Sequence, residues 1–282
     1  MHGGFMDIYA LAVSHHASLD YGRLLCVGRF NNAINFLTQN GQLLTLHRAG
    51  LGLSPMGWEI ASDDFDHITD RLLLIDECQF SPIGIALGDL CIQRHNQFLN
   101  LELAIHGEIK LPLLRAVLSP LAAETGLFGQ LGDLVSKPTG DEVRELEQFF
   151  YRWLRGEVVD WGKVLGKGPG LTPSNDDTLL GMLLVAHLDH RIDIAQLPPF
   201  FAHDTEIYAL TTTVSASYLQ YAERGIFATP LQVLAQGLLD PQHLPRAVHG
   251  LLQIGHFSGA DTLLGVWLGA RAITAYHCCS DI

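Results

Sequence analysis

The sequence predicts an α+β fold, with a β-rich N-terminal part followed by a mainly helical C-terminal part. From about residue 21 to residue 103, short aliphatic and β-branched runs alternate with turn residues, which is typical of strands. After Pro112 the segments become longer and acquire helical periodicity. Residues 126–140 between these regions contain Gly and Pro, so we expect a β-rich domain at residues 1–125 and a helical domain at residues 126–282.

The clearest N-terminal element is a hairpin formed by residues 33–38 and 42–47. Between these runs lie Asn40 and Gly41, a pair that supplies the positive φ angles needed for a tight reversal. The other predicted strands are residues 23–29, 71–75, 84–93 and 98–103.

The helical part contains several segments with a repeat near 3.6 residues. They are residues 113–124, 141–154, 205–223, 230–239 and 241–253. Segment 205–223 is unusually rich in hydroxyl side chains for a helix: Thr211, Thr212, Thr213, Ser215 and Ser217. Such a face either lines a polar pocket or bonds back to its own helix and permits close packing.

Charge and composition exclude several classes of function. The chain has 17 basic and 30 acidic residues, and its formal charge of -13 repels nucleic acid and anionic membranes. A small anion can still bind, because free backbone N–H groups at a helix start act locally. No apolar run approaches the ~20 residues that span a bilayer, and residues 1–16 lack the features of a signal peptide. Five cysteines without metal-type spacing predict reduced thiols and a cytoplasmic location.

Two segments, residues 174–181 and 258–265, share the pattern S-x-x-D-T-L-L-G. A serine three residues before an acid, followed by an apolar run, is typical of a capping box at a helix start. We therefore predict that Ser174 and Ser258 are N-caps, with Asp177 and Asp261 in the third helical position.

We expect the two helices to pack side by side, related by an approximate local two-fold axis. Gly181 and Gly265 occupy matching positions in the two segments, and small residues permit close approach. Both helix starts would then face a common site.

The loops before the two helices suggest an anion-binding cradle. Lys167, Gly168, Gly170 and Thr172 precede the first helix, and His256 precedes the second. Glycines let backbone N–H groups approach a ligand, and Lys167 supplies a countercharge in a chain with only four lysines. The alternative is that both loops are tight entries to buried helices.

Asp176 is not explained by capping, unlike its neighbour Asp177. It is a candidate ligand for a cation or for a substrate amide. Adjacent acids point to different faces of a helix, and one carboxylate is a weak argument for magnesium, so we expect no metal or other cofactor. No catalytic residue can be assigned from the sequence.

Motifs of common enzyme classes are absent. Gly168 follows Lys167 where the phosphate-binding loop requires Ser or Thr, and Leu171 replaces the last glycine of the dinucleotide fingerprint. There is no H-E-x-x-H, C-x-x-C or G-x-S-x-G sequence. The sequence therefore gives no support for a nucleotide cofactor, a zinc site or a serine hydrolase.

Several strings, in order along nearly the whole chain, resemble those of a known family. They are residues 165–174, 176–179 and 259–265, the hairpin residues 35–37 and 41–48, and residues 124–129. In these strings the chain is similar to the AllH-type subunit of the three-part oxamate carbamoyltransferase.

This resemblance implies an enzyme subunit that acts with two other subunits on a small anionic substrate. The enzyme converts oxalurate and phosphate to oxamate and carbamoyl phosphate in anaerobic allantoin breakdown. The Ser-x-Arg-Thr-Arg and His-Pro-x-Gln strings of familiar carbamoyltransferases are absent here, so a different site or another subunit carries the chemistry. Two other interpretations stay open: a non-catalytic scaffold or regulatory subunit, and a stand-alone hydrolase with a metal at Asp176.

Overall fold

The computed structural model describes residues 6–75, 77–94, 97–202 and 205–280. The chain forms two compact units, Met1–Leu101 and Glu102–Ile282. The first consists largely of strands and the second largely of helices, which confirms the predicted α+β class. Residues 102–125, expected in the N-terminal domain, belong to the second unit, where Leu103 N–H donates to the Gly225 carbonyl at 2.8 Å.

In the part of the first unit that the structure describes, the chain forms a ten-stranded mixed sheet and one helix. The sheet has the order β1-β9-β8-β7-β3-β4-β5-β6-β2-β10. Its strands are β1 Met6–Tyr9, β2 Ala12–Ser14, β3 Gly22–Arg29, β4 Ala33–Thr38, β5 Leu43–Arg48, β6 Gly57–Ile60, β7 Glu77–Phe80, β8 Gly84–Leu87, β9 Leu90–Gln93 and β10 Phe98–Leu99. The helix α1 spans Ser62–Leu72.

Residues 6–14 cross between the two ends of this sheet and make it curl. Strand β1 pairs with β9 near one end, and β2 pairs with β6 near the other. At the crossing, Ala10 N–H donates to the Gln93 carbonyl and Leu11 N–H donates to the Glu59 carbonyl. The curl encloses a core that includes Phe36, Trp58 and, from α1, Phe65.

The strand predictions were partly right. The hairpin of β4 and β5 is confirmed, with Gly41 at φ +77° in its turn, and β3 matches the predicted residues 23–29 closely. The prediction of a strand at residues 71–75 was wrong, because Leu72 ends α1 and packs into the core as part of the helix. Residues 84–93 form two strands that reverse at Gly88, and the strand predicted at 98–103 contains only Phe98 and Leu99.

The second unit contains nine α-helices and a two-stranded ribbon in its described residues. The ribbon consists of β11 Glu124–Thr125 and β12 Gly129–Gln130. The helices are α2 Leu111–Leu118, α3 Leu131–Ser136, α4 Asp141–Leu154, α5 Ser174–Leu188, α6 Ile207–Leu210, α7 Thr213–Glu223, α8 Thr229–Leu239, α9 Leu244–Leu252 and α10 Ser258–Ser280. Short 3₁₀ turns lie at Trp161–Lys163 and Ile194–Gln196.

Helices α5 and α10 form the centre of this unit. Helix α5 is buried around nearly its whole circumference, and α10 is buried from residue 259 to residue 270. After their first turns both helices are apolar on all sides, α10 as far as residue 270, which is typical of a helix enclosed by other elements. Helices α4 and α7 are among the elements that pack around this pair.

The predicted α4 is confirmed at both ends, and α8 is one residue longer at its start than predicted. The prediction of a single helix at residues 205–223 was wrong, since the chain is extended at Thr211 and Thr212 between α6 and α7. Helices α2 and α9 are shorter than predicted. Among the described residues, no helix has both the length and the apolar character needed to cross a lipid bilayer.

Candidate functional site

The two matching helix starts lie side by side, as predicted. A Cβ atom on Gly181 would lie 2.1 Å from the Thr262 carbonyl oxygen, and one on Gly265 would lie 1.9 Å from the Thr178 carbonyl oxygen. These two contacts are equivalent, because Thr178 and Thr262 hold the same position in the repeated pattern. The reciprocal contacts confirm an approximate local two-fold relation between the helices.

Helices α5 and α10 also run in the same direction. Further along the pair, Gly269 of α10 packs against Met182 and Val185 of α5. Residues later in one helix therefore meet residues later in the other. Since the helices are parallel, their N-terminal ends lie at the same end of the unit.

The predicted capping boxes were wrong. The Asp177 N–H donates to the Pro173 carbonyl at 3.1 Å, so Pro173 is the N-cap of α5 and Ser174 is its first residue. In the same way, Asp261 N–H donates to the Phe257 carbonyl at 2.9 Å, and Ser258 is the first residue of α10. Each serine sits one position too late to accept a hydrogen bond from its own first turn.

The serines instead face the aspartates of the opposite helix. The Ser258 hydroxyl lies close enough to Asp177 to lower the pKa of its carboxyl, and the Ser174 hydroxyl acts likewise on Asp261. Neither contact has the geometry of a well-formed hydrogen bond. The Ser258 Oγ also lies 2.9 Å from the Thr172 Oγ1, which joins the first loop to the start of α10.

Asp261 is held by the ribbon of β11 and β12. The Gly126 N–H donates to both carboxylate oxygens of Asp261, at 3.0 and 3.3 Å. A Cβ on residue 126 would lie 1.9 Å from the Ser174 Oγ, so only glycine fits there. The ribbon turn therefore brings a third chain segment to the two helix starts.

Asp176 holds the loop before α5 in place. Its Oδ1 accepts from the Gly166 N–H at 2.8 Å. Its Oδ2 accepts from the Ser215 hydroxyl at 2.6 Å and from the Thr211 hydroxyl. Both carboxylate oxygens are thus occupied by protein donors, and two hydroxyls of the hydroxyl-rich segment bind this side chain. In addition, Thr212 Oγ1 donates to the Leu171 carbonyl.

This geometry gives no support to a magnesium ion at Asp176. Within the described residues, no group of three or more His, Cys, Asp or Glu side chains is arranged to hold a metal ion.

Three buried polar atoms in the first turn of α5 have no hydrogen-bond partner among the described residues. They are Ser174 Oγ, Asn175 Oδ1 and Asp177 Oδ2. All three side chains are at least 95% buried. Unpaired buried polar atoms are rare in folded proteins, so three within the first turn of one helix indicate that ligand or water atoms can bind there.

Burial raises the pKa of all three carboxyls at this site. The largest effect is at Asp177, where loss of solvent raises the pKa well above its ordinary value and the nearby charges of Asp261 and Asp176 raise it further. At Asp261, burial outweighs the Gly126 N–H bond, and at Asp176 it outweighs the Ser215, Thr211 and Gly166 donors. The site thus favours the protonated form of Asp177 more strongly than an exposed position would.

The loop before α5 depends on its glycines. Gly166, Gly168 and Gly170 have φ angles of +74°, +116° and +91°, and a Cβ on Gly168 would lie 2.5 Å from the Ser174 nitrogen. The N–H groups of Gly168, Gly170 and Ser174 donate to no protein acceptor in the described part of the chain. Free donors and close backbone approach are the features expected of an anion cradle.

The two charged or ionisable side chains predicted for the cradle are both exposed. Lys167 forms no ion pair with any described residue, and its carbonyl accepts from the Asn175 N–H at 3.0 Å. The His256 ring packs edge-on against Phe257, with 4.2 Å between ring centroids. Gly126, Thr211 and Ser215 reach the site through tertiary contacts. Of these, Thr211 and Ser215 belong to the hydroxyl-rich segment noted in the sequence, whereas none of the three was predicted as a binding residue.

Two family models match the chain. Residues 164–270 match the model described as oxamate carbamoyltransferase subunit AllH, and residues 10–103 match the AllH family N-terminal domain. The chain belongs to the AllH family. The matched region of this AllH chain includes the loop before α5, both helix starts and the segment of Thr211 and Ser215. No solved structure matches it.

Proposed function

We propose that this chain binds the small anionic substrate of an oxamate carbamoyltransferase at its paired helix starts. The enzyme converts oxalurate and phosphate to oxamate and carbamoyl phosphate in allantoin catabolism, and this chain acts there with two other subunits in the cytoplasm. Membership of the AllH family supports the reaction. The unpaired buried atoms at the start of α5 support the location of the site.

The chemistry of the unpaired atoms matches this class of ligand. Oxalurate and oxamate each carry a carboxylate, which needs donors, and an amide, which needs both donors and acceptors. The free N–H groups of Gly168, Gly170 and Ser174 are suitable donors for an anionic group. Asn175 Oδ1 is an acceptor for an amide N–H, and the Ser174 hydroxyl can either donate or accept a hydrogen bond.

The charge of the site also suits an anion, although three aspartates converge there. A neutral Asp177 adds no negative charge and can donate its proton to a ligand oxygen. The carboxylates of Asp261 and Asp176 are screened by hydrogen bonds from protein donors. Lys167 is exposed in the loop before α5, and its flexible side chain can place a positive charge next to the bound anion.

In the transfer step, a phosphate oxygen attacks the terminal carbamoyl carbon of oxalurate, and the bond from that carbon to the bridging nitrogen breaks. Oxamate leaves once its nitrogen has taken a proton. We assign this chain the binding residues Lys167, Gly168, Gly170, Thr172, Ser174, Asp177, His256 and Ser258, with Asp176 positioning the loop and Asp261 holding the ribbon turn at the site. We assign no proton-transfer residue.

The test is a carbamoyl-transfer assay on the assembled enzyme with each subunit omitted in turn and with Lys167→Met in this chain. We expect a several-fold higher KM for the anionic substrate, because a charged hydrogen bond contributes roughly 1 to 3 kcal/mol. Lys163→Met, at an exposed lysine just before the loop, is the matched control. Normal KM with impaired subunit assembly would support the alternative of a non-catalytic scaffold.

A further inference from the structure

A second feature of the helical unit lies away from the paired helix starts. It is an open cavity of about 970 Å³ between α2, the segment from α3 to α4, and α10. None of the residues of the proposed substrate site lines it. Its deepest contact with α10 is at Trp267 and Arg271, the latter ten residues beyond Asp261, which corresponds to about 15 Å along a helix.

The lining of this cavity is strongly basic for such an acidic chain. Four of the 17 basic residues line it, namely Arg115, Lys137, Arg144 and Arg271, against one acid, Glu147. The chain as a whole has a formal charge of -13, so its composition does not explain this excess of positive charge on one concave surface.

Ion pairs neutralise this charge only in part. Arg271 Nε lies 3.1 Å from Glu147 Oε1, and Lys137 Nζ lies 2.8 Å from Asp133 Oδ1. Arg144 pairs with Asp141. Arg115 has no acidic partner among the described residues, so its guanidinium faces the cavity mouth uncompensated.

The lining also contains an apolar surface. Trp267 is 4% exposed, and its Nε1–H has no acceptor among the described residues. The Arg271 guanidinium carbon lies 5.7 Å from the centroid of the Trp267 ring, close enough for a cation–π contact. Leu111 and Val135 add apolar surface to the lining. The cavity therefore combines an apolar lining with a cationic rim.

We infer that this cavity binds an organic anion that is larger than oxamate or phosphate and places a charged group at Arg115. Arginine side chains recognise carboxylate and phosphate groups through paired hydrogen bonds. A cavity of about 970 Å³ has room for an organic body against Trp267 as well as for the charged groups at the rim. Both a polycarboxylate and an organic phosphate meet this description.

Isothermal titration of the full chain with citrate, with ATP without added metal, and with inorganic phosphate distinguishes these ligands. We expect saturable binding of citrate or ATP and much weaker binding of phosphate. Arg115→Gln should weaken the tighter ligand about tenfold, which corresponds to roughly 1.4 kcal/mol. Arg246→Gln, at an exposed arginine on α9 of the same unit, removes the same charge and should bind like the unmodified chain.

Tryptophan fluorescence supplies an independent readout. Trp267 lines the cavity, whereas Trp153 and Trp161 do not, so ligand binding should change the emission of the unmodified chain and not that of Trp267→Phe. Asp177→Asn should leave this binding intact, which separates the cavity from the proposed substrate site. Equal affinities for Arg115→Gln and Arg246→Gln would overturn the inference. So would the absence of saturable binding together with weaker subunit assembly in Arg115→Gln, which would make the cavity a contact for another subunit.

Discussion

The starts of α5 and α10 have the same pattern at Ser, Asp, Thr, both Leu and Gly positions, yet their aspartates occupy different environments. Asp261 accepts two hydrogen bonds from the Gly126 N–H. Asp177, at the equivalent position, keeps one buried oxygen without a partner and has the most strongly raised pKa of the site. The ribbon turn reaches only one of the two equivalent positions.

The repeated pattern therefore determines how the two helix backbones pack, but it does not determine the role of each aspartate. The glycine contacts between the helices are reciprocal, as the shared pattern requires. The surroundings are not: the Gly126 N–H donates to Asp261 of α10, whereas Asp177 of α5 has no such backbone donor among the described residues, and the loop of Gly168 packs against Ser174 of α5. We interpret Asp261 as the structural copy and Asp177 as the copy available to a ligand.

The largest expected effect on stability tests the reciprocal glycine contacts between α5 and α10. Gly181→Ala and Gly265→Ala should each destabilise the chain by about 3 kcal/mol, because the new Cβ would overlap a carbonyl oxygen of the other helix. Gly250→Ala is the control, since a Cβ there meets no atom within 4 Å and helical alanine is favoured over glycine by roughly 0.5–1 kcal/mol. Chemical denaturation measures all three. A mild effect at only one of the two glycines would contradict the local two-fold relation.

The second-largest effect on stability distinguishes Asp261 from Asp177. Asp261→Ala should cost about 2 kcal/mol of unfolding free energy, because it leaves the Gly126 N–H without its acceptor. Asp177→Ala should cost less, since it removes a poorly solvated carboxyl whose Oδ2 has no partner. Equal losses in denaturant unfolding would show that the two positions are energetically alike.

The pH dependence of stability should reflect the raised pKa of Asp177. The folded chain holds this proton more tightly than the unfolded chain, whose carboxyl titrates near 3.8. The stabilising contribution is therefore complete below about pH 4 and is lost as the pH rises through the folded pKa, at up to roughly 1.4 kcal/mol per pH unit. Asp177→Asn removes this loss, so its melting temperature relative to the unmodified chain should increase with pH. A difference in melting temperature that does not change with pH would contradict a raised pKa at Asp177.

The smallest effect concerns the serine of the repeated pattern. Ser174→Ala should change the unfolding free energy by less than about 0.5 kcal/mol, because its hydroxyl has no partner and caps no helix. Thr212→Ala should cost about 1 kcal/mol, since Thr212 Oγ1 accepts from the Ser215 N–H as the N-cap of α7. A larger loss at Ser174 than at Thr212 would restore the capping interpretation.

From the sequence alone we could predict the α+β class, the hairpin around Gly41, the bounds of α4 and that helices begin near Ser174 and Ser258. Each of these depends on local periodicity or turn chemistry, which neighbouring residues record directly. At residues 71–75 and at Thr211, competing local sequence signals are equally plausible. The tertiary structure was therefore needed to establish that α1 ends at Leu72 and that Thr211 separates α6 from α7. It also decided which partners the aspartates have. Asp261 meets Gly126 across 135 residues, and Asp176 meets Ser215 across 39. Contacts over such separations arise from packing two buried helices against a ribbon and a loop, and no short-range pattern in one sequence encodes them.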